Sequence, residues 1–126
     1  MDIEKKIYLS PHFLVNEFSC RCLRPECDAQ RMLPSFMAKL EDLRLLYGQP
    51  LIPTSGERCA FWNKKIGGAP ESQHLIGNAV DFHFPSFAEV KDFMVLAEKA
   101  GFNGIGYGKS KIHVDDRKEH ARWTYF

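Results

Sequence analysis

The sequence lacks long apolar runs, an excess of charge of one sign, internal repeats and low-complexity segments. No apolar stretch is long enough to span a bilayer, so membrane insertion is not expected. Its 17 basic and 16 acidic side chains give a net charge of +1, which argues against nucleic acid as a partner. With 126 residues and no linker-like segment, we expect a single domain over residues 1–126.

Cysteine is also scarce. The chain has four cysteines, Cys20, Cys22, Cys27 and Cys59. Four are too few for a disulfide scaffold in a chain of this size, and free thiols are the preferred interpretation. Two alternatives stay open. One is a structural four-thiolate zinc site, although the usual CxxC spacing is absent, and the other is disulfide formation after release to an oxidising space.

The N-terminus has no apolar segment of signal-peptide length. Residues 1–6 are mostly charged and run into polar and aromatic positions. We therefore expect synthesis in the cytoplasm without a signal peptide.

Two helices are marked by apolar periodicity. From Ser35 to Tyr47 apolar residues recur at helical spacing, which predicts an amphipathic core helix capped by Ser35. Ser86 and Glu89 form a capping-box pattern, and Gly101 predicts the end of the helix that follows. Both helices are predicted to be scaffold.

Two segments alternate with period two, from Ala79 to Phe84 and from Ile112 to Asp115, and predict strands. Together with the helices they predict an α+β fold, in which helices pack on a small, mostly antiparallel sheet.

Polar residues occur at regular positions in both predicted strands. In the first strand, alternation places Asp81 on the face opposite its apolar side chains, and His74 lies in the loop before it. In the second strand, His113 and Asp115 share the polar face. Two imidazoles and one carboxylate, with a fourth position for water, are typical of a catalytic zinc site. The spacing alone also fits an unrelated strand carboxylate and loop histidine.

The motifs around these residues resemble a known family. They are Ser55-Gly56-Glu57-Arg58, Asn63 to Pro70, the pattern Ser72-x-His74-x-x-Gly77-x-Ala79-x-Asp81, Gly104 to Tyr107, Ile112 to Asp115 and Arg122-Trp123. The chain is similar to the zinc D-Ala-D-Ala carboxypeptidases, in particular the small bacterial and phage branch. The N-terminal segment, with Phe13 and the run Asn16 to Cys20, resembles it as well.

The resemblance implies the hedgehog/D-Ala-D-Ala-peptidase fold, one zinc ion and the ligands His74, Asp81 and His113. It implies a metallopeptidase that cleaves the peptide stem of peptidoglycan, as a D-Ala carboxypeptidase or as an endolysin-type endopeptidase. The expected partner is that stem, together with structural proteins if the chain is carried on a phage particle. We expect a monomer that acts on the cell wall, after phage-mediated release or as part of a particle.

Other residues are assigned around the metal. Asp115 is the candidate general base, or alternatively an acceptor that holds His113. By resemblance, Arg58 binds a substrate carboxylate or stabilises an oxyanion. Ser72, Tyr107 and Trp123 are candidates for substrate contacts, with loop capping for Ser72 and core packing for the two aromatics as alternatives.

The sequence departs from the family pattern just before the last ligand. Many relatives place an acidic base three residues before that histidine or a second histidine two residues before it, where this chain has Ser110 and Lys111. The alternative hypothesis is therefore a noncatalytic, zinc-stabilised module that binds cell wall or a phage particle. A purely structural domain without metal is a third.

Overall fold

The computed structural model describes residues 6–126, and residues 1–5, on which the expectation of a missing signal peptide partly rests, lie outside it. The helices and strands of the described part follow in chain order: β1 (Tyr8–Ser10), β2 (Phe13–Leu14), α1 (Val15–Phe18), α2 (Pro34–Tyr47), α3 (Ala60–Lys65), a 3₁₀ helix (Gln73–Ile76), β3 (Ala79–His83), α4 (Phe87–Ala100), β4 (Gly104–Tyr107), β5 (Lys111–Asp115) and β6 (Ala121–Thr124). The predicted α+β class is confirmed.

The two long helices have the boundaries that local chemistry favours. Helix α4 begins with the predicted capping box, in which the Ser86 hydroxyl accepts from the Glu89 amide at 3.2 Å, and it ends at Gly101 with φ 87°. Helix α2 begins one residue before the predicted start. Pro34 occupies its first turn and Ser35 does not cap it, because proline needs no hydrogen bond there and has a helical φ already.

The main sheet has four strands in the order β3-β5-β4-β6. Its β3–β5 and β5–β4 pairs are antiparallel, and only β4–β6 is parallel, so the expectation of a mostly antiparallel sheet is confirmed. The sequence patterns did not predict β4 and β6, which are short and rich in glycine or polar residues.

Helices α2 and α4 cover one face of this sheet. The apolar face of β3 contributes Val80 and Phe82, and Phe93 of α4 packs on Phe82 with ring centroids 5.5 Å apart. The opposite face of the sheet carries polar side chains. In the described part of the chain, no helix has the length and apolarity needed to cross a lipid bilayer.

Candidate metal centre

Three polar side chains meet on the open face of the sheet. Strands β3 and β5 pair so that Asp81 lies directly opposite His113. His74 comes from the 3₁₀ helix that precedes β3, where its amide donates to the Ser72 hydroxyl at 3.2 Å. One nitrogen of each imidazole and one oxygen of the carboxylate lie within 4.8 Å of one another. These three residues are called the His–Asp–His site below.

The two ring nitrogens of each histidine have different partners. His74 Nε2 is 3.2 Å and His113 Nδ1 is 2.9 Å from the same oxygen, Oδ1 of Asp81. The distal nitrogens face acceptors: His74 Nδ1 is 2.7 Å from the Gly56 carbonyl oxygen, and His113 Nε2 is 2.6 Å from Oδ2 of Asp115. The distal nitrogens donate to these acceptors, and the proton by which His74 Nε2 or His113 Nδ1 hydrogen-bonds to Asp81 is the one that a metal ion would replace.

The electrostatics of the site keep the carboxylate charged. Burial raises the pKa of Asp81, but hydrogen bonds from His113 and His74 lower it by more, and the net pKa lies well below the usual range. Burial lowers the pKa of His113, whereas hydrogen bonds to Asp115 and Asp81 raise it, and the net change is upward. An ionised carboxylate beside two imidazoles is a concentration of negative potential that a cation would neutralise.

Asp115 lies beneath this site, and its side chain is completely buried. Its Oδ2 accepts from His113, and its carboxylate forms a two-pronged pair with Arg117, with Nε at 2.9 Å from Oδ1 and Nη2 at 2.7 Å from Oδ2. Burial raises the pKa of Asp115, and the bonds from Arg117 and His113 lower it well below the usual range. A carboxylate so stabilised in its charged form is a poor proton acceptor. Of the two roles left open by the sequence, this geometry favours holding His113 over acting as general base.

Arg58 reaches the site from the edge of the sheet. The segment that contains it runs beside β3, where Ser55 forms a bridge with Asp81. Three nitrogens of its guanidinium are held: Nε by the Ser55 hydroxyl at 3.0 Å, Nη1 by the Asn63 side-chain oxygen at 3.2 Å, and Nη2 by Oδ2 of Asp81 at 3.0 Å. Since a guanidinium has five N–H donors, two remain for another acceptor.

The His–Asp–His site lies in the wall of a cavity of about 630 Å³, a size typical of small-ligand sites. Arg58, Ser72 and Trp123, three of the predicted substrate contacts, line it. Trp123 lies against the metal site, with its ring centroid 5.2 Å from that of His113. Tyr107 does not line the cavity. The prediction of a substrate contact there is corrected to the alternative, because the ring of Tyr107 packs against Phe87 and Phe126.

Strand alternation explains the difference between Tyr107 and Trp123. Gly104 and Gly106 occupy the positions of β4 that face the site, and Tyr107 therefore faces away. A Cβ atom at Gly104 would collide with the carboxylate of Asp115, and one at Gly106 with the indole of Trp123. The two glycines thus leave room for the side chains that flank His113.

A family model described as Peptidase M15 matches residues 11–115. The chain belongs to the Peptidase M15 family. The match includes the three residues of the His–Asp–His site and confirms the resemblance to the zinc D-Ala-D-Ala carboxypeptidases. No curated protein gives a match to the chain.

M15 peptidases are zinc-dependent, and the residues of this chain fit that ion. Two neutral imidazoles and a carboxylate are ligands that zinc accepts. For a tetrahedral ion with ligand bonds of about 2.0 Å, neighbouring donor atoms lie roughly 3.3 Å apart, close to the 3.2 Å and 2.9 Å observed. The hydrogen bonds to Gly56 and Asp115 orient both rings as metal-binding histidines require.

Three charged or aromatic residues of the cavity wall were missed from the sequence, namely Glu71, Arg117 and Tyr125. Arg117 supports Asp115, as described above, and Tyr125 lines the cavity beyond Trp123. Burial raises the pKa of Tyr125, so its phenol keeps its proton at neutral pH and can donate a hydrogen bond. A signal existed for Tyr125: it lies two residues after Trp123, which places both on one face of an extended segment.

Proposed function

We propose that this M15 chain is a zinc peptidase that cleaves the peptide stem of peptidoglycan, as a D-Ala carboxypeptidase or an endolysin-type endopeptidase. One observation carries the proposal: among the described residues, the His–Asp–His site brings together three candidate ligand side chains, and it faces an open cavity. Structural zinc sites are usually closed by four protein ligands, whereas catalytic sites keep a position for water or substrate. Bound zinc supplies Lewis acidity to a carbonyl oxygen and acidifies water.

The charge of the cavity wall supports a substrate with a free carboxylate. Arg58, Lys111 and Arg117 line the cavity, against two carboxylates, Glu71 and Asp81. Asp81 belongs to the ligand set, so the remaining wall is net positive. A stem peptide that ends in D-Ala presents a carboxylate, which an arginine can bind through two parallel hydrogen bonds.

The other wall residues have separate roles in this proposal. Arg58 uses its two free N–H groups to bind the terminal carboxylate or the oxygen of the scissile carbonyl as negative charge develops there. The phenol of Tyr125 donates a second hydrogen bond to the same region. Trp123 excludes water from the side next to His113.

Proton transfer needs a group other than Asp115, which is held by His113 and Arg117. Glu71 is the carboxylate on the described cavity wall that lies outside the ligand set, and we assign this role to it. Glu71→Gln is expected to lower kcat while zinc content is unchanged. Wild-type kcat in that variant would remove Glu71 from the mechanism.

The test of the function is a product analysis. Purified chain with measured zinc content is incubated with peptidoglycan and defined muropeptides, with and without a chelator, and products are read by mass spectrometry. Chelator-sensitive release of D-Ala is expected for a carboxypeptidase, and a split stem or cross-bridge for an endopeptidase. His113→Ala serves as the matched inactive control.

A second candidate is the noncatalytic binding module. Lys111 favours it, because this chain has an ammonium group on the cavity wall, 4.1 Å from the centre of the Tyr125 ring, at the sequence position two residues before His113 where the family pattern often has a second histidine. If a folded, zinc-loaded sample binds peptidoglycan without any cleavage, this candidate replaces the peptidase.

A further inference from the structure

All four cysteines of the chain meet at a second place in the fold. Three lie on the loop after α1 and the fourth directly follows Arg58; they are Cys20, Cys22, Cys27 and Cys59. Their Sγ atoms all lie within 4.8 Å of one another, and we call them the four-cysteine cluster. Cys20 and Cys59 are 39 positions apart in sequence, so the convergence is a product of the fold.

The spacing of the sulfur atoms suits a shared metal ion. Zinc–sulfur bonds of about 2.3 Å in a tetrahedron separate the sulfurs by roughly 3.8 Å, and Sγ of Cys20 and of Cys59 are 3.7 Å apart. A disulfide would hold two sulfurs at about 2.05 Å, and all four cysteines are free. Four thiolates around one ion form a closed site, which is the usual form of structural zinc.

Hydrogen bonds to sulfur add to this geometry. The Cys59 amide donates to Sγ of Cys20, and the Trp62 amide donates to Sγ of Cys59, both at 3.4 Å. Backbone N–H groups aimed at sulfur stabilise the thiolate form that a metal binds.

A cation is held beside the cluster. The guanidinium of Arg24 stacks on the Phe61 ring with its central carbon 3.7 Å from the ring centroid. Its Nε is buried without a hydrogen-bond partner among the described residues. Four thiolates and one divalent ion carry a net charge of −2, which the guanidinium of Arg24 offsets in part, since its Nη1 also lies 3.1 Å from Oε1 of the exposed Glu26.

The loop that carries three of the cysteines is anchored mainly at its C-terminal end, where the Met32 amide donates to Glu57 at 3.2 Å and the Leu33 amide donates to the Gly77 carbonyl oxygen at 2.9 Å. Residues 19–33 form neither helix nor strand. Leu23, between two of the cysteines, has φ 57° and is 92% exposed, a conformation that costs a non-glycine residue about 1 kcal/mol or more. A cross-link to Cys59 would hold this loop closed and would restrain the backbone next to Arg58.

We propose that the chain binds a second, structural zinc ion through the four-cysteine cluster. This ion fixes residues 19–33 against the segment that carries Arg58, and it takes no part in the chemistry of the His–Asp–His site. The proposal is independent of which peptide bond is cleaved.

Metal content and thiol chemistry of the full chain, purified under reducing conditions, test the proposal. Wild type is expected to contain two equivalents of zinc, of which a mercurial thiol reagent releases one. His113→Ala is expected to keep the mercurial-sensitive equivalent, and Cys27→Ser to lose it. Cys27→His is expected to restore it, because imidazole also binds zinc.

Cobalt substitution gives a second measurement. The cobalt-loaded wild type and His113→Ala are expected to show the near-ultraviolet sulfur-to-cobalt charge-transfer band, and Cys27→Ser to lose most of its intensity. The proposal is overturned by four freely titrating thiols in a wild type with one equivalent of zinc. Disulfide bonds in the intact mass, or iron in place of zinc at the cluster, would equally overturn it. None of these results depends on peptidase activity.

Discussion

The His–Asp–His site and the four-cysteine cluster are both groups of metal-binding side chains, but they are built on different kinds of structure. Asp81 and His113 stand opposite each other on paired strands, and their positions follow from the register of a sheet. The cysteines stand on a loop without helix or strand and on one residue far along the chain. In the first case the fold positions the ligands, and in the second, as we propose, the ligands and their ion hold the fold.

The two sites also differ in openness. The His–Asp–His site offers three candidate ligand side chains and adjoins a cavity, whereas the cluster offers four thiols. Three ligands leave room for chemistry, and four close the coordination shell. In our proposals the sheet carries the reaction and the loop depends on a structural ion, and the two regions meet where Arg58 precedes Cys59. The following predictions test this division, from the largest expected effect to the smallest.

The largest effect is expected from His113→Ala. A three-ligand site rarely keeps its metal when one ligand is lost, so cleavage should fall to the level of the chelator-treated wild type. Fold should change little, because the core lies on the other face of the sheet. Zinc analysis, muropeptide digestion and circular dichroism measure the three quantities. Global unfolding of this variant would contradict the view that the sheet positions the ligands without help from the ion.

Arg58→Lys is expected to lower kcat/KM by about 100-fold, equivalent to about 2.7 kcal/mol of lost charge-assisted hydrogen bonding. A lysine cannot reproduce the contacts to Ser55, Asn63 and Asp81 together. Steady-state kinetics on a defined muropeptide provide the measurement, and Arg44→Lys on α2 is the control. Unchanged kinetics would place Arg58 outside the reaction.

Asp115→Asn is expected to weaken zinc affinity or activity about 10- to 100-fold, since an oriented histidine loses its charged acceptor. The substitution also leaves Arg117 without its carboxylate partner. Competition with a chromophoric chelator measures the affinity. If the affinity for zinc is unchanged and only kcat falls, with its pH profile shifted, the general-base role returns.

Chelation of the wild type is expected to speed tryptic cleavage in residues 19–33, at Arg21, Arg24 or Arg31, by about tenfold or more. Removal of the cross-link would let the loop open locally while the sheet stays folded. Mass spectrometry of the early fragments locates the cuts. His113→Ala that keeps its remaining ion should resist trypsin like the zinc-loaded wild type. Cleavage of this variant as fast as that of the chelator-treated wild type would refute a separate loop site.

The smallest effect is expected at Glu41, remote from both metal sites. Burial raises the pKa of Glu41, but hydrogen bonds from Ser10 and His12 lower it by more, so that the net pKa lies below the usual one. A lowered pKa adds stability above the ordinary carboxyl range and loses it as pH falls. Glu41→Gln should therefore reduce the free energy of unfolding by about 1 kcal/mol at neutral pH and by less in acid.

Urea unfolding of the wild type and of Glu41→Gln, at neutral and at acidic pH, measures the change in the free energy of unfolding. The zinc content of the variant should stay at the wild-type level. A loss of either ion in Glu41→Gln would show that the N-terminal segment contributes to a metal site, which would weaken the division between sheet and loop.

Much of the fold was accessible from local patterns. The capping box at Ser86 and the alternation around Asp81 and His113 predicted α4, β3 and β5, because each depends on neighbours in sequence. Strands β4 and β6 were missed, since Gly104 and Gly106 have no side chains to show alternation. The role of these two glycines is to leave room for Asp115 and Trp123 on the neighbouring strands, and it can be recognised only in the folded chain.

The candidate site divides in the same way. The family motifs marked His74, Asp81, His113 and Arg58, but they could not choose between the two roles of Asp115. That choice depends on Arg117 and on burial, which follow from tertiary packing.

The sequence by itself determined the α+β class, the two long helices, the family and the residues offered to a catalytic metal, because these follow from periodicity and from motifs within a few positions. The tertiary structure alone decided which histidine nitrogens face Asp81, which aromatic side chains line the cavity, and that four cysteines spread over 40 positions meet at one point. Such contacts are set by how distant segments pack, and no local pattern contains that information.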